Sequence, residues 1–346
     1  MAIQKSVLNN VIISELLQTL YNMPTDNIEK LGIGTANCYK IHAEGKRYFL
    51  KEYQETFSKS DLQREIQLNE FLLSASYPTA AFISDVNGNK YIYTNNRYIV
   101  LQEYIDGKSY ITHNLPDKIL FQAAELLGRL HEILEGYEMP VEMDKPWVEK
   151  FNVEKAISSY DLLIEHTTEI KDKTIRDKIR ADLLFKKELL NITAPYVKYF
   201  DKITYKSTHG DYTAMQYLCI DDEIKAVIDF ASARKIPASW EIMRSYMQSA
   251  IDTKIPADFD MNKFCDYVRH YLSVSTLSED DLKYMPFIYL YQLARSKYGY
   301  KEYMLNVENK EALLEFAFWR TDICRMLADK ADEISQMLIH YNYEKK

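Results

Sequence analysis

The sequence is poor in cysteine. Its 346 residues include four cysteines, and no two of them form a Cys-x-x-Cys pair. A disulfide framework requires dense cysteines, and a structural zinc site requires closely spaced ligands. The spacing therefore excludes both kinds of cross-link and indicates buried thiols in a reducing compartment. The four residues are Cys38, Cys219, Cys265 and Cys324.

Long apolar runs are also missing. No stretch reaches the roughly 18 consecutive apolar residues that a membrane-spanning helix needs. Residues 1–22 have neither the continuous apolar region nor the small-residue cleavage site of a signal peptide. We therefore expect no membrane association and a cytoplasmic location.

Basic charge is in deficit. The chain has 43 Lys and Arg residues against 51 Asp and Glu residues, a formal net charge of −8. Because a nucleic-acid binder needs a basic face to neutralise phosphates, we expect no nucleic-acid partner. The hydrophobic share of 47% is typical of a globular protein, and the length suits two domains.

The hydrophobic pattern changes along the chain. Residues 7–21 have helical spacing, and residues 28–105 then contain short apolar runs separated by turn pairs such as Asn87-Gly88 and Asn95-Asn96. We expect an antiparallel sheet of about five strands there, with a hairpin at Asn87-Gly88. After Gly107 the spacing is mostly helical, so the sequence predicts an α+β fold in which the sheet precedes the helices.

Residues 204–230 contain the strongest functional pattern. Two strand-like runs, 217–220 and 226–228, are joined by a polar turn. A hairpin of this kind would hold Asp211 at its entrance and Asp229 at its exit, with both carboxylates facing one small volume. Phosphoryl transfer needs one carboxylate near the acceptor hydroxyl and another on a divalent metal.

One set of residues resembles the catalytic segment of the aminoglycoside phosphotransferase and choline kinase-like family, relatives of the protein kinases. The set consists of His209-Gly-Asp211, Gln216 and Ile228-Asp-Phe230. That family usually has His-Gly-Asp-x4-Asn and Ile-Asp-Phe/Trp. The resemblance implies that Asp211 is the catalytic base and that Asp229 and Gln216 bind metal. Gln216 departs from the family's Asn, and its longer side chain shifts the ligand geometry. The competing interpretation is two solvated turn aspartates beside an ordinary hairpin.

The resemblance also implies nucleotide-binding residues. Gly32 and Gly34 belong to a loop that could lie over nucleotide phosphates, although two glycines before a strand also describe an ordinary turn. Lys51 follows on the next strand, where kinases place a phosphate-binding lysine. Its partner would be Glu65 on the following helix, with Glu70 as the alternative and a surface role open for either.

The wider resemblance implies a protein-kinase-like bilobal fold. Residues 1–105 would form an N-terminal nucleotide-binding lobe, and residues 106–346 a helical C-terminal lobe with the catalytic loop and the acceptor pocket. Backbone groups from Glu103 to Ile105 would hydrogen-bond adenine at the interlobe hinge. Glu241 would help to fix the catalytic loop. The cofactors implied are ATP and Mg²⁺.

The implied activity is ATP-dependent transfer of phosphate to a hydroxyl of a small molecule. Family members act on aminoglycosides, choline, ethanolamine, homoserine and sugars, and the fold does not choose among them. Six tyrosines within residues 284–303 could line an aromatic cage for a cation, with core packing as the alternative. Together with the acidic balance, they favour an amine-bearing acceptor. A nucleotide-binding, pseudokinase-like module without efficient catalysis is the first alternative, and a structural or interaction protein is the second. The sequence does not indicate whether the protein forms oligomers.

Overall fold

The computed structural model describes residues 4–32, 36–138 and 152–343. Backbone contacts divide the chain into two compact units. The first unit consists of Met1–Ser109 and Gln216–Ala233, and the second of Tyr110–Met215 and Arg234–Lys346. Residues 216–233 therefore pack with the amino-terminal sheet, although Tyr110–Met215, which precede them in sequence, belong to the second unit.

The first unit is built around an antiparallel sheet with strand order β1-β2-β3-β5-β4. This sheet confirms the predicted region of about five antiparallel strands. Its elements are α1 (Asn10–Tyr21), β1 (Asn27–Leu31), β2 (Asn37–Ala43), β3 (Lys46–Glu52), α2 (Lys59–Ser74), β4 (Ile92–Thr94) and β5 (Arg97–Glu103). The hairpin of β7 (Tyr217–Ile220) and β8 (Glu223–Val227) completes the unit.

Two apolar clusters sandwich the sheet. Leu17 of α1 packs with Leu50 of β3 in one cluster, and Leu62 of α2 packs with Val100 of β5 in the other. Because successive side chains of a strand point to opposite faces, β5 contributes to both clusters, with Ile99 and Leu101 in the first and Val100 in the second. The first helix begins at Asn10, three residues later than predicted, since the Asn9 side chain caps it by accepting from the Ile12 N–H at 3.0 Å.

The predicted hairpin at Asn87-Gly88 is wrong. The Ile83 N–H instead donates to the Leu101 carbonyl of β5 at 2.8 Å, so this segment lies along β5. The Asp85 carboxylate accepts from the Asn89 N–H at 2.7 Å and closes a local turn. Hydrogen bonds between the Asp85 side chain and backbone N–H groups thus form a local turn here, in place of the predicted strand pairing.

The second unit is mainly helical. Its strands β6 (Tyr205–Thr208) and β9 (Arg234–Pro237) form a small antiparallel pair. Its helices are α3 (Asp117–Glu135), α4 (Val153–His166), α5 (Lys173–Thr193), α6 (Ala238–Ser249), α7 (Met261–Leu272), α8 (Glu279–Arg295), α9 (Tyr300–Met304) and α10 (Lys310–Tyr343). Among the described residues, none of the helices has the length and apolar character needed to cross a membrane.

Gly128 shows how closely α3 approaches the end of α7. A Cβ atom at this position would lie 2.8 Å from the Tyr271 carbonyl oxygen and 2.6 Å from a Val274 methyl carbon. Both distances are shorter than a normal van der Waals contact, and the carbonyl belongs to the backbone. The absence of a side chain at Gly128 therefore sets the spacing between the two helices.

We expect Gly128→Ala to destabilise the protein by about 1–3 kcal/mol, because the added methyl group must displace the α7 backbone. In an unconstrained helix the same change stabilises, by roughly 0.5–1 kcal/mol. The free energy of unfolding from urea denaturation measures the effect. Lys118→Ala, at an exposed position of α3, is the control and should stay within about 0.5 kcal/mol of wild type. A stabilised Gly128→Ala protein would contradict this packing.

Candidate active site

Strand alternation places Lys51 on the α2 side of the sheet. Lys51 pairs in register with Val100, whose side chain belongs to the cluster under α2. The Lys51 Nζ atom lies 3.1 Å from Asp229 Oδ1 and 4.0 Å from Glu65 Oε1. The structure thus brings three predicted site residues together within the first unit, although 178 positions separate Lys51 from Asp229.

Of the two glutamates proposed to pair with Lys51, Glu65 meets it. Glu65 is buried on the stripe of α2 that also buries Leu62 and Asn69, whereas Glu70 lies off this stripe and pairs with Lys90. The three- and four-residue spacing of these positions is a sequence signal that could have decided between the two glutamates.

Burial and charge shift the pKa values in this cluster. Burial alone would lower the pKa of Lys51, but the acidic groups of Tyr53, Glu65 and Asp229 hold it well above its usual value. Burial raises the pKa of Glu65, and the positive charge of Lys51 offsets only part of this rise. The Tyr53 hydroxyl donates to Glu65 Oε2 at 3.0 Å and fixes the carboxylate. Lys51 is therefore a fixed cation at neutral pH.

Asp229 lies two residues after the end of β8 and has a left-handed backbone conformation, with φ 67° and ψ 61°. Non-glycine residues in this region are uncommon and occur preferentially at functional sites. The Ile228 N–H donates to the Gln216 carbonyl at 3.0 Å. One proposed metal ligand, Gln216, therefore pairs with the residue that directly precedes the other, Asp229. The Asp229 side chain remains 42% exposed and accessible to a ligand.

The proposed phosphate loop and hinge are described in part. A Cβ atom at Gly32 would meet no atom within 4 Å, so contacts among the described residues do not require glycine there. Gly34 lies outside the described residues. Glu103 ends β5, and its N–H donates to the Ala81 carbonyl at 2.9 Å. Ile105 lies in the irregular segment that follows.

The segment after β5 is tied to the hairpin that positions Asp229. Lys108 and Cys219 exchange two backbone hydrogen bonds, of 3.0 and 2.9 Å. A Cβ atom at Gly107 would lie 3.0 Å from the Cys219 nitrogen and from the Leu218 carbonyl carbon. Glycine at position 107 therefore permits the close approach of two backbones, which the sequence pattern did not predict.

Asp211 lies in the second unit, on the loop after β6. Glu241 of α6 holds this loop, because its carboxylate accepts hydrogen bonds from the backbone N–H groups of His209 and Gly210. Gly210 has a φ of 81°, a conformation that favours glycine. The Glu241 side chain therefore has the loop-fixing position that the resemblance implied.

His131 completes the support of this loop. It is fully buried on α3 and contacts Glu241 Oε2 at 2.9 Å through Nε2 and the Tyr271 hydroxyl at 2.8 Å through Nδ1. Burial raises the pKa of Glu241, but the His131 hydrogen bond, nearby histidine charge and the Gly210 N–H outweigh it, so the net pKa lies below its usual value.

Arg244 is a site residue that the sequence reasoning missed. Its guanidinium Nη2 forms an ion pair with Asp211 Oδ1. Arg244 lies three positions after Glu241 on the same helix, so both side chains reach the Asp211 loop. This spacing is the signal that could have identified it.

Comparison with known proteins shows which family the chain belongs to. A model of the phosphotransferase enzyme family matches residues 27–276, most of the chain. The chain belongs to this family. A comparison of the sequence with curated proteins finds no match.

Solved structures similar to this family member include three small-molecule kinases. Spectinomycin phosphotransferase in complex with ADP and spectinomycin has a TM-score of 0.68 and 15% identity, covering 94% of this chain and 100% of the other. An aminopropanol kinase associated with a microcompartment scores 0.64 at 13% identity, covering 95% and 100%. Amicoumacin kinase with AMP-PNP and Ca²⁺ scores 0.61 at 12% identity, covering 91% and 93%. These likenesses confirm the predicted kinase-like α+β fold.

The donor set of this family member suits magnesium. Among the described residues, no group of three His, Cys, Asp or Glu side chains could hold a metal ion by itself. Mg²⁺ in nucleotide sites usually takes only one or two protein carboxylates, together with phosphate oxygens and water. The Asp229 carboxylate and the Gln216 amide oxygen are hard oxygen donors of this kind.

The tyrosines near the carboxyl terminus mostly pack inside the second unit. Tyr289 and Tyr291 are buried, and Tyr300 is buried and donates to Asp182 Oδ2 at 2.8 Å. Tyr284 stacks on Tyr199 with ring centroids 4.1 Å apart. These contacts match core packing, which was the alternative to an aromatic cage for a cation.

The low pKa of Glu241 predicts a pH-dependent stability. The ionised carboxylate stabilises the fold above its unfolded-state pKa, near 4.5, and this contribution is lost as the pH falls through the lower folded-state pKa. We expect Glu241→Gln to lose about 1–3 kcal/mol near pH 7, because an amide cannot accept from both loop N–H groups and His131 equally well.

Urea denaturation of both proteins near pH 7 and near pH 4 measures this effect. The difference between wild type and Glu241→Gln should shrink at the lower pH. Glu125→Gln is the matched control, because this carboxylate pairs with His270 at the surface. A difference that stays constant with pH would show that the charge of Glu241 does not support the loop.

Proposed function

We propose that this chain is an ATP-dependent phosphotransferase that transfers the γ-phosphate to a hydroxyl of a small molecule. The observation that carries the proposal is the contact of Lys51 with both Glu65 and Asp229. A partly buried lysine held by two carboxylates from distant parts of the chain supplies a fixed positive charge for phosphate groups. Membership of the phosphotransferase enzyme family supports the same activity.

Each unit has its own role in this proposal. In the first unit, Lys51 neutralises phosphate charge, and backbone groups between Glu103 and Ile105 bind the adenine. Asp229 and Gln216 would hold Mg²⁺, which neutralises phosphate charge when bound. Gly32 leaves room for phosphates beside the backbone. The proposed nucleotide-binding lobe thus comprises residues 1–105 together with the hairpin segment Gln216–Ala233.

In the second unit, Asp211 orients the acceptor hydroxyl and receives its proton as the hydroxyl oxygen bonds to the γ-phosphorus. The bond between the γ-phosphorus and the bridging oxygen breaks, and ADP leaves. Glu241 keeps the Asp211 loop in place, and Arg244 holds one carboxylate oxygen of Asp211. In this proposal the second unit, Tyr110–Met215 and Arg234–Lys346, supplies the base and the acceptor pocket.

The proposed acceptor also carries an amine, as aminoglycosides, choline, ethanolamine and homoserine do. The acidic balance of the chain, with a net charge of −8, is compatible with a cationic acceptor. Aminopropanol is an amine-bearing acceptor by the name of one structural neighbour.

Replacing the proposed base tests the activity. We expect Asp211→Asn to lower kcat about 10²–10⁴-fold, because the amide can no longer accept the hydroxyl proton. ADP release from Mg²⁺-ATP in the presence of a panel of amino alcohols, aminoglycosides, hydroxy amino acids and sugars is the measurement. Asp201→Asn, in the exposed turn before β6, is the matched control. Full activity of Asp211→Asn would remove this residue from the mechanism.

A nucleotide-binding module without efficient catalysis is the second candidate, and Gln216 is the observation that favours it. Its side chain is one methylene longer than the family's Asn. If this length limits turnover, Gln216→Asn should raise kcat or lower the Mg²⁺ concentration at half-maximal activity. Mg²⁺-dependent ATP binding by wild type and Gln216→Asn, without turnover across the whole panel, would favour the second candidate.

A further inference from the structure

Arg320 of α10 is a buried cation that has no counter-ion among the described residues. Its side chain is 8% exposed, and within the described part of the chain it forms neither a hydrogen bond nor an ion pair. Its guanidinium carbon lies 5.5 Å from the centre of the Phe316 ring, a contact that supplies no negative charge. A buried charge is costly unless a partner of opposite sign or several hydrogen bonds compensate it. In the part of the chain that the structure describes, Arg320 therefore lacks a partner of opposite charge.

The groups around Arg320 add further positive charge to this region. Lys186 of α5 is 2% exposed, and its Nζ donates to the Ser296 carbonyl at 2.6 Å. Burial lowers the pKa of Lys186 to about 8, and the charges of Arg320 and Lys297 contribute to this shift. Because all of these groups are basic, they cannot serve as counter-ions for one another.

The acid that interacts with Lys186 is already engaged. Asp182 of α5 is 2% exposed, and its two oxygens accept from Arg325 Nη2 at 2.6 Å and from the Tyr300 hydroxyl at 2.8 Å. Asp182 thus has its own arginine. An excess of positive charge remains around Arg320, and an anion from outside the chain would neutralise it.

Arg244 links this positive cluster to the candidate base. One nitrogen of its guanidinium, Nη2, pairs with Asp211. The other, Nη1, is buried and has no hydrogen-bond partner among residues 4–32, 36–138 and 152–343. Burial is the main cause of the lowered pKa of Arg320, and the charge of the nearby Arg244 lowers this pKa further. The charges of both arginines also oppose the rise that burial causes in the pKa of the Tyr289 hydroxyl of α8.

We propose that Arg320 and the Nη1 atom of Arg244 form an anion subsite that receives an oxyanion group of the acceptor, while Asp211 receives its hydroxyl. The planar guanidinium matches carboxylate and phosphate oxygens with paired hydrogen bonds. The inference rests on the proposed function. It narrows the amine-bearing acceptor to one that also has a carboxylate or phosphate group, such as a hydroxy amino acid, and it excludes choline and ethanolamine, which have no oxyanion group.

Anion binding tests the subsite independently of catalysis. The melting temperature is measured in chloride, sulfate, inorganic phosphate and L-homoserine at one ionic strength, without nucleotide. We expect the wild-type protein to be stabilised by the oxyanions relative to chloride, and Arg320→Met to lose this increment. Arg320→Lys should retain part of it, because the charge remains but the planar fork is lost.

A control variant and a stability comparison complete this test. Arg176→Met removes a guanidinium from the surface of α5, where Arg176 pairs with Asp177, and should keep the full oxyanion increment. In chloride, Arg320→Met should melt at or above the wild-type temperature, since an uncompensated buried charge is removed. Equal increments in wild type and Arg320→Met would overturn the proposal. So would a large loss of stability of Arg320→Met in chloride.

Acceptor specificity provides a second measurement. Pairs of acceptors that differ only in the oxyanion are compared: L-homoserine with its amide, and a phosphorylated diol with the free diol. We expect kcat/KM to favour the anionic member at least about tenfold, with the difference mainly in KM, and the better of the two anionic compounds to identify carboxylate or phosphate. Arg320→Met should bring the ratio close to one.

The two measurements separate the possible failures. Oxyanion binding that depends on Arg320, without turnover of any acceptor, would contradict the proposed phosphotransfer and leave the subsite standing. Turnover with equal kcat/KM for the anionic and neutral members would overturn the subsite and leave the phosphotransfer standing.

Discussion

The contact of one lysine with two carboxylates organises the first unit. Lys51 lies on a central strand, Glu65 on the helix that covers it, and Asp229 at the end of a hairpin more than a hundred positions later in the chain. An amine buried among apolar side chains remains charged only when acids lie beside it. The helix and the hairpin must therefore keep their places on the sheet, and this constraint explains why residues 216–233 pack with the amino-terminal part of the chain.

A second buried carboxylate has the corresponding role in the helical unit. Glu241 accepts from two consecutive backbone N–H groups of the loop that carries Asp211, and His131 holds Glu241 from the opposite helix. Hydrogen bonds to a buried carboxylate keep it ionised and fix the loop backbone. The candidate base is thus positioned through the backbone of its loop and, through Arg244, at its own carboxylate.

The charges of the two units differ in how completely they are paired. The amine of Lys51 has carboxylates within reach in its own unit, whereas Arg320 has none among the described residues. A protein whose net charge is −8 thus contains a local excess of positive charge next to the residue that holds Asp211. Net charge describes the whole surface and does not reveal the sign of a particular pocket.

The sequence by itself determined the order of sheet and helices, because spacing of two or of about 3.6 residues is a local property of the chain. It also indicated Asp211, Asp229 and Lys51, whose motifs are short and contiguous. The sequence pattern predicted a hairpin at Asn87-Gly88 that does not form, because the Asp85 side chain accepts backbone hydrogen bonds and closes a local turn there. Only the tertiary structure decided which glutamate meets Lys51, which unit holds the hairpin before Asp229, and which arginine pairs with Asp211. These features depend on contacts between residues far apart in sequence, and such contacts exist only once the helices and the sheet have packed.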